Sequence, residues 1–339
     1  MEKKSVYIAY TGGTIGMKPG RDGYRPAPGF LADQMAASSE LHRPEMPRYV
    51  IHEYEPLLDS SNMAPADWMK IGRDLFANYH DFDGFIVLHG TDTMAYSAAA
   101  LSFMFENLAK PVLFTGSQIP LAELRSDARE NLVNSLLIAA GWEIPEVCLF
   151  VGHLLLRGNR ATKISADRYL AFESPNYPHL GESEVDLKIH RQRLLPRPSG
   201  PIRFTDVGRP QVADIRLFPG ITADMLRRFL APPLQGAVLH TYGVGNAPDD
   251  PELLEALHQA AAASVVVVNC TQCLHGSVDM DSYATGRALQ RVGVISGWDM
   301  TPEAVLTKLY VLLSQHSEPG EVRRLMGRDL RGELSRSTG

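Results

Sequence analysis

Short, wholly apolar runs alternate with amphipathic stretches along most of this chain. The runs VYIAY (6–10), FIVLHG (85–90), VLFTGS (112–117) and VCLFVG (147–152) lack the polar alternation of a strand with one face in water. Such runs read as parallel strands buried on both faces. Between them, residues 65–79, 95–108 and 130–140 carry apolar residues at helical spacing. Strand–helix–strand repetition of this kind predicts a mostly parallel sheet flanked by helices. Residues 174–211 break the pattern with SPNYP, LPRPSGP and GRP, a density of proline and glycine that marks a linker or a long excursion. The alternation then resumes. VADIRLF, GAVLHTYG, SVVVVNC and VGVIS are strand-like, whereas TADMLRRFL, PELLEALHQAAAA and TPEAVLTKLYVLLSQH are helix-like. In the last of these Thr301 suits the cap, Pro302 the first helical position, and Val305, Leu309, Leu312 and Leu313 the buried face. The expected architecture is α/β: a larger N-terminal domain over 1–195, a linker over 196–211 and a smaller C-terminal α/β domain over 212–339.

The 339 residues suffice for two domains with sizeable cores. A net charge of -6 argues against nucleic acid or an anionic membrane as partner. No apolar run approaches the roughly 20 residues of a membrane span. The apolar stretch behind Lys3 and Lys4 is too short for a secretory signal and runs straight into a glycine turn. A cytoplasmic location is therefore expected. Three cysteines, Cys148, Cys270 and Cys273, fit a reducing compartment. Cys270 and Cys273 form a CxxC with His275 nearby. A redox or metal role stays open, but no second cysteine pair completes a zinc site, and structural thiols fit better.

In an open parallel sheet, ligands bind beyond the carboxyl ends of the strands. Three such ends place glycine beside hydroxyls: Thr11-Gly12-Gly13-Thr14, His89-Gly90-Thr91-Asp92-Thr93 and Thr115-Gly116-Ser117. The first does not fit a dinucleotide fingerprint, which needs GxGxxG opening a helix. Here Pro19, Gly20, Gly23, Pro26 and Pro28 preclude a helix, and a loop over roughly 17–30 containing Tyr24 has the make-up of a lid. No GxSxG elbow is present, and His89 reads as structural. A threonine nucleophile needs a base to take its proton, and Tyr24 and Lys163 are the candidates.

TGGTIG (11–16) followed by HGTDTM (89–94), each after a strand and in this order, resembles the bacterial-type L-asparaginases of the asparaginase/glutaminase-like family. VLFTGSQ, ATK and SPNYPHLG also look like family landmarks, and the likeness spans essentially the whole chain. The missing leader makes it similar to the cytoplasmic, type I branch. The resemblance implies hydrolysis of asparagine to aspartate and ammonia through a threonine acyl-enzyme. Thr14 then matches the nucleophile and Tyr24 the lid tyrosine. Thr91, Asp92 and Lys163 match a Thr-Lys-Asp relay in which Asp92 orients Lys163. Asp59, Ser60 and Ser61 fall where the family, with Thr91 and Asp92, holds the substrate's α-amino and α-carboxylate groups. Ser60 and Ser61 also suit helix capping, as do Thr91 and Asp92. No metal and no organic cofactor are implied. The implied partner is a small-molecule substrate, in a homodimer or homotetramer.

Some type I members carry a second, activity-switching asparagine site. Thr162, His240, Thr271 and Cys273 fall at its positions, which gives the CxxC stretch a ligand-binding meaning. His240 stands where such members carry arginine. Arginine grips a carboxylate bidentately, and neutral histidine does not. Two other readings compete with asparagine hydrolysis. The same site could act on glutamine or a larger amide, or the fold could serve as a non-catalytic amino-acid sensor. The second is disfavoured because Thr14, Thr91, Asp92 and Lys163 are all present.

Overall fold

The apolar runs become strands because each has a helical layer on both sides. A computed structural model describes residues 3–21 and 23–335 and divides into two compact units, Met1–Thr205 and Asp206–Gly339. In the first unit the strands are β1 (Ser5–Gly12), β2 (Met17–Gly20), β3 (Gly23–Pro26), β4 (Arg48–Leu58), β5 (Gly84–Leu88), β6 (Phe105–Glu106), β7 (Val112–Thr115), β8 (Val147–Val151), β9 (Leu154–Arg157), β10 (Thr162–Lys163), β11 (Phe172–Glu173), β12 (Gly181–Ser183), β13 (Leu187–Ile189) and β14 (Arg203–Phe204). Eight of them form one sheet in the order β13-β12-β9-β8-β7-β5-β1-β4. The run from β4 to β8 is parallel, and β9, β12 and β13 extend it antiparallel.

Four helices belong to this unit: α1 (Phe30–Ala37), α2 (Pro65–Ala77), α3 (Met94–Met104) and α4 (Ala128–Gly141). Val6, Ile8 and Tyr10 of β1 and Ile86 and Leu88 of β5 pack with Leu31 and Met35 of α1 and Leu132 and Leu136 of α4 in one buried cluster. The intervening strand residues face the other way, as the two-residue period of a strand requires. Helix α3 has every residue but Tyr96 buried, which explains its alanine-rich, nearly uncharged sequence. It stops at Met104, short of the 108 expected. Phe105 turns extended and pairs with Phe204 in the small β6–β14 ladder.

Three features differ from the sequence expectation. Strand β4 has no all-apolar run, because as an edge strand it alternates exposed and half-buried positions. Strands β12 and β13 lie within the proline-rich 174–211 stretch, where strands of three residues carry too little apolar pattern to read. The 17–30 loop is mostly an antiparallel hairpin, β2–β3, in which Pro19 pairs with Tyr24.

The second unit repeats the logic on a smaller scale. Strands β15 (Val212–Arg216), β16 (Gly236–Thr241), β17 (Val266–Thr271) and β18 (Ile295–Ser296) form a four-stranded parallel sheet. Helices α5 (Ala223–Phe229), α6 (Pro251–Ala262), α7 (Ala284–Arg291), α8 (Pro302–Gln315) and α9 (Pro319–Met326) complete it. Ala237, Leu239 and Val267 pack with Leu226, Leu253, Leu257 and Leu289. Val238, Val266 and Val268 face Val305, Leu309, Leu312, Val322 and Met326 on the other side. Thr301 caps α8 by accepting from Ala304 N–H at 3.3 Å. No helix among the described residues is long and apolar enough to cross a membrane.

Candidate active site

The carboxyl ends of β1, β4 and β5 meet because their turns are built from glycine. Gly12 and Gly13 have φ of 131° and 89°, a region that glycine enters without strain. A Cβ on Gly12 would lie 2.1 Å from the Leu58 carbonyl oxygen at the end of β4. On Gly13 it would lie 2.4 Å from the Gly90 nitrogen after β5. The turn after β1 is thus in backbone contact with its two neighbours, and no larger residue fits.

Thr11 and Thr14 part ways in this turn. Thr11 is fully buried and donates to the Leu88 carbonyl at 2.9 Å, a strut between β1 and β5. Thr14 opens a single 3-10 turn over Thr14–Gly16 and is half-buried. Tyr24 projects from β3, which packs against that 3-10 turn. Its phenol donates to the Glu123 carboxylate at 3.0 Å, a bond that raises its pKa above the usual tyrosine value. In this arrangement Tyr24 is engaged by Glu123 rather than by Thr14.

After β5, His89 is fully buried. Its Nδ1 lies 2.6 Å from the Gly90 carbonyl and its Nε2 2.9 Å from the Ser97 hydroxyl. A carbonyl only accepts, so Nδ1 carries the proton and Ser97 donates to Nε2. Burial lowers this imidazole to about 4, so it is neutral and structural. Thr91 follows, 7% exposed. Lys163 Nζ donates to Thr91 Oγ1 at 3.0 Å and to Asp92 Oδ1 at 2.7 Å. Thr91 donates in turn to Gln118 Oε1 at 3.0 Å. The fold therefore joins Lys163 to two adjacent side chains that lie more than 70 positions before it in sequence.

Gln118, immediately after the Thr115-Gly116-Ser117 strand end, was not singled out from sequence. It accepts from Thr91, and its amide nitrogen donates to the Ala166 and Arg168 carbonyls beyond Lys163 at 3.3 and 3.2 Å. That closes a ring of contacts from Thr91 through Gln118 and the 164–168 loop back to Lys163. Gln118 is itself fixed, because its N–H and that of Ile119 donate to the Asp127 carboxylate ahead of α4. Its place beyond the third glycine–hydroxyl strand end, at the close of the VLFTGSQ landmark, is its signal in sequence.

Asp59, Ser60 and Ser61 lie just beyond β4. Asp59 accepts from Ser61 N–H at 3.0 Å and caps a short 3-10 turn, so the capping expected of Ser60 and Ser61 falls to Asp59 and the two serines lie inside the turn. Ser60 is buried, and its carbonyl accepts from Thr93 Oγ1 at 2.7 Å. Ser60 Oγ is also where a Cβ on Gly90 would fall, at 2.4 Å. Asp59 and Ser61 are exposed at the same rim. Thr91 and Asp92 do not cap α3; Thr93 occupies that position and makes no side-chain cap bond.

The four effector-site candidates divide between the units. Thr162 is buried on β10, where it pairs with Glu173. In the second unit His240 is buried near the end of β16, and its Nε2 contacts the Asp214 carboxylate. Thr271 ends β17, donates to the Gly243 carbonyl and accepts from Cys273 N–H at 3.0 Å. All three cysteines are free thiols. Burial pushes the Cys270 thiol up to about 12, while Cys273 is exposed. Cys270 packs in the core beneath α8, so the CxxC stretch offers no paired reactive thiols.

Comparison with known proteins covers both units. The family described as "Asparaginase, N-terminal" matches residues 5–195, and "Glutaminase/Asparaginase C-terminal domain" matches 211–326. L-asparaginase 1 of Escherichia coli strain K12 is 52% identical over 99% of this chain and 99% of its own length. The 60 kDa lysophospholipase of Mus musculus is 43% identical over 98% of this chain and 63% of its own length. The crystal structure of L-asparaginase I from Vibrio cholerae superposes with a TM-score of 0.93 at 51% identity, covering 98% of this chain and 100% of that one. With both family descriptions matched in order and full-length relatives above half identity, the chain belongs to the asparaginase family.

Proposed function

We propose that this protein hydrolyses L-asparagine to L-aspartate and ammonia through an acyl-enzyme on Thr14. The observation that carries the proposal is the Lys163 ammonium bonded at once to the Thr91 hydroxyl and the Asp92 carboxylate, beside a turn that abuts the Thr14 turn. The names of the full-length relatives, L-asparaginase 1 and L-asparaginase I, support the substrate. An amide has a poor leaving group, and a covalent intermediate divides its hydrolysis into two easier steps. Thr14 Oγ1 attacks the side-chain carbonyl and forms a β-aspartyl ester. The amide nitrogen gains the threonine proton and departs as ammonia. Water then adds to the ester, aspartate leaves, and a water proton restores the Thr14 hydroxyl.

In the resting arrangement Lys163 donates to Thr91, and Thr91 donates to Gln118. These contacts form a chain along which the Thr14 proton can be passed to the departing nitrogen. Asp92 holds the ammonium in place. Backbone N–H groups of the glycine turns are the donors available to the oxyanion, each worth roughly 3–4 kcal/mol in such a role. Asp59, Ser60 and Ser61 form the rim that receives the α-amino and α-carboxylate groups, with Thr91 and Asp92 opposite. Tyr24 joins the site when its phenol leaves Glu123. An incoming carboxylate at His240 would compete with Asp214. We assign residues 1–195 to catalysis, 196–211 to a linker and 212–339 to the second domain. The enzyme is placed in the cytoplasm as a homodimer or homotetramer.

Ammonia release from asparagine and from glutamine, by the intact protein and by Thr14→Ala, tests the proposal. Release from asparagine that disappears in the variant is expected. Release from neither amide refutes the function, and full activity in Thr14→Ala refutes the mechanism.

A further inference from the structure

We propose that His179, Glu182 and His190 form a zinc-binding site at one edge of the main sheet, on the β12–β13 hairpin. One ligand atom from each lies within 4.8 Å of the other two. His179 Nε2 is 3.5 Å from Glu182 Oε2, and His190 Nε2 is 3.9 Å from Glu182 Oε1. A tetrahedral zinc with bonds of about 2.1 Å needs ligand atoms about 3.4 Å apart, so a set spread over up to 4.8 Å closes by a contraction of up to about 1.4 Å. The hairpin fixes this placement. His190 N–H donates to the Leu180 carbonyl at 2.8 Å, and Glu182 pairs with Lys188, which puts Glu182 and His190 diagonally across one face.

A second observation points to a ligand. His190 Nε2 is buried from water and has no hydrogen-bond partner. The Glu182 carboxylate, at 3.9 Å, is beyond hydrogen-bond range. An imidazole nitrogen left unpaired is costly, and an ion lying between it and the carboxylate satisfies both. The side chains themselves are only 24–33% exposed, buried enough to be held and open enough for an ion to enter.

The donor set selects the metal class. Calcium takes six to eight oxygens, and this cluster offers one carboxylate. Binding must therefore rest on imidazole coordination, which favours zinc and its neighbours over hard cations. Two histidines and one glutamate are a known zinc set that leaves a fourth position for water. Strands β9, β8 and β7 separate this hairpin from β5, so the site is distinct from the Thr91 cluster. Its role is to clip the residues ahead of β12 to the outermost strand of the sheet.

The test is calorimetric titration of the chelator-stripped full chain with zinc chloride, repeated on Glu182→Gln and His190→Gln. Circular dichroism checks that the variants fold. One equivalent per chain at micromolar or tighter affinity is expected, with that equivalent lost in both variants. Zinc should raise the melting temperature of the parent and not of the variants. Cobalt bound in its place should show the visible spectrum of a tetrahedral nitrogen–oxygen site. Absence of a tight equivalent in the parent overturns the proposal. So does its survival in the folded variants, which would locate the zinc on other histidines.

Discussion

Replacing Thr91 by valine separates catalysis from support at the Lys163 cluster. Valine keeps the shape of threonine and removes only the hydroxyl. That hydroxyl donates to Gln118 at 3.0 Å and accepts from Lys163 at 3.0 Å. A neutral hydrogen bond contributes about 1 kcal/mol and one from a cation somewhat more. Lys163 keeps Asp92 at 2.7 Å and is 20% exposed, so water replaces part of its loss. Gln118 Oε1 loses its donor. Together these terms give about 2 kcal/mol of destabilisation, or roughly 4–8 °C in Tm at 2–4 °C per kcal/mol for a unit of this size. The catalytic loss should be much larger. A positioned proton relay contributes about 10²–10⁴-fold, equivalent to roughly 3–5 kcal/mol of barrier. The assay is steady-state ammonia release from asparagine well below the Tm of either protein. Both kcat and kcat/KM should fall together, as when an interaction belongs to the transition state. Thr91→Ser, which restores the hydroxyl, should recover most of the rate. If Thr91→Val loses the expected stability but keeps kcat within a few-fold of the parent, Thr91 is a strut and the relay is wrong.

Two further expectations concern stability. Burial lowers His89 from 6.5 to about 4, so on acidification the unfolded chain takes up its proton first. The stability this contributes is full above pH 6.5 and is lost as pH falls toward 4, about 3 kcal/mol in all and about 1 kcal/mol between pH 7 and 5.5. Denaturant unfolding at those two pH values should show the loss in the parent and less of it in His89→Gln; equal slopes would refute the assignment. Lys308 and Glu333 form an ion pair whose side chains are both 0% exposed, and Lys308 also donates to the Met326 carbonyl at 3.0 Å. Lys308→Met strands that carboxylate in the core and should cost about 3–5 kcal/mol, whereas the double variant with Glu333→Gln should recover much of it; a double variant no better than the single one rules out the stranded charge as the cause.

What could be read from sequence follows from how each element is buried. Strands β1, β5, β7, β8, β16 and β17 lie in sheet interiors with side chains packed on both faces, so their apolar runs are unbroken. Edge strands β4 and β13 meet a partner on one side only, and their mixed composition carries no unbroken apolar run. The β2–β3 hairpin was hidden for a related reason. It is exposed along nearly its whole length, so only Gly20, Gly23 and the prolines marked it, and they read as a loop.

The site divides along the same line. Thr14 and Thr91 stand out as positions because glycine turns at strand ends are local features, while the roles proposed for them come from the family likeness. Lys163 was not legible on local grounds, since a lysine among small polar residues is usually a solvated one, and its meaning came from the family likeness. Its bonds to Thr91 and Asp92 span 72 and 71 positions and exist only because β10 passes the end of β5. Gln118 shows the limit most sharply. Its side chain joins a turn 27 residues before it to a loop about 50 residues after it. Nothing in a glutamine or its neighbours encodes that reach. Asp127 supplies it, by accepting from the Gln118 and Ile119 N–H groups and fixing the backbone from which the side chain extends. A residue that acts by bridging distant segments becomes visible only once the fold has brought those segments together.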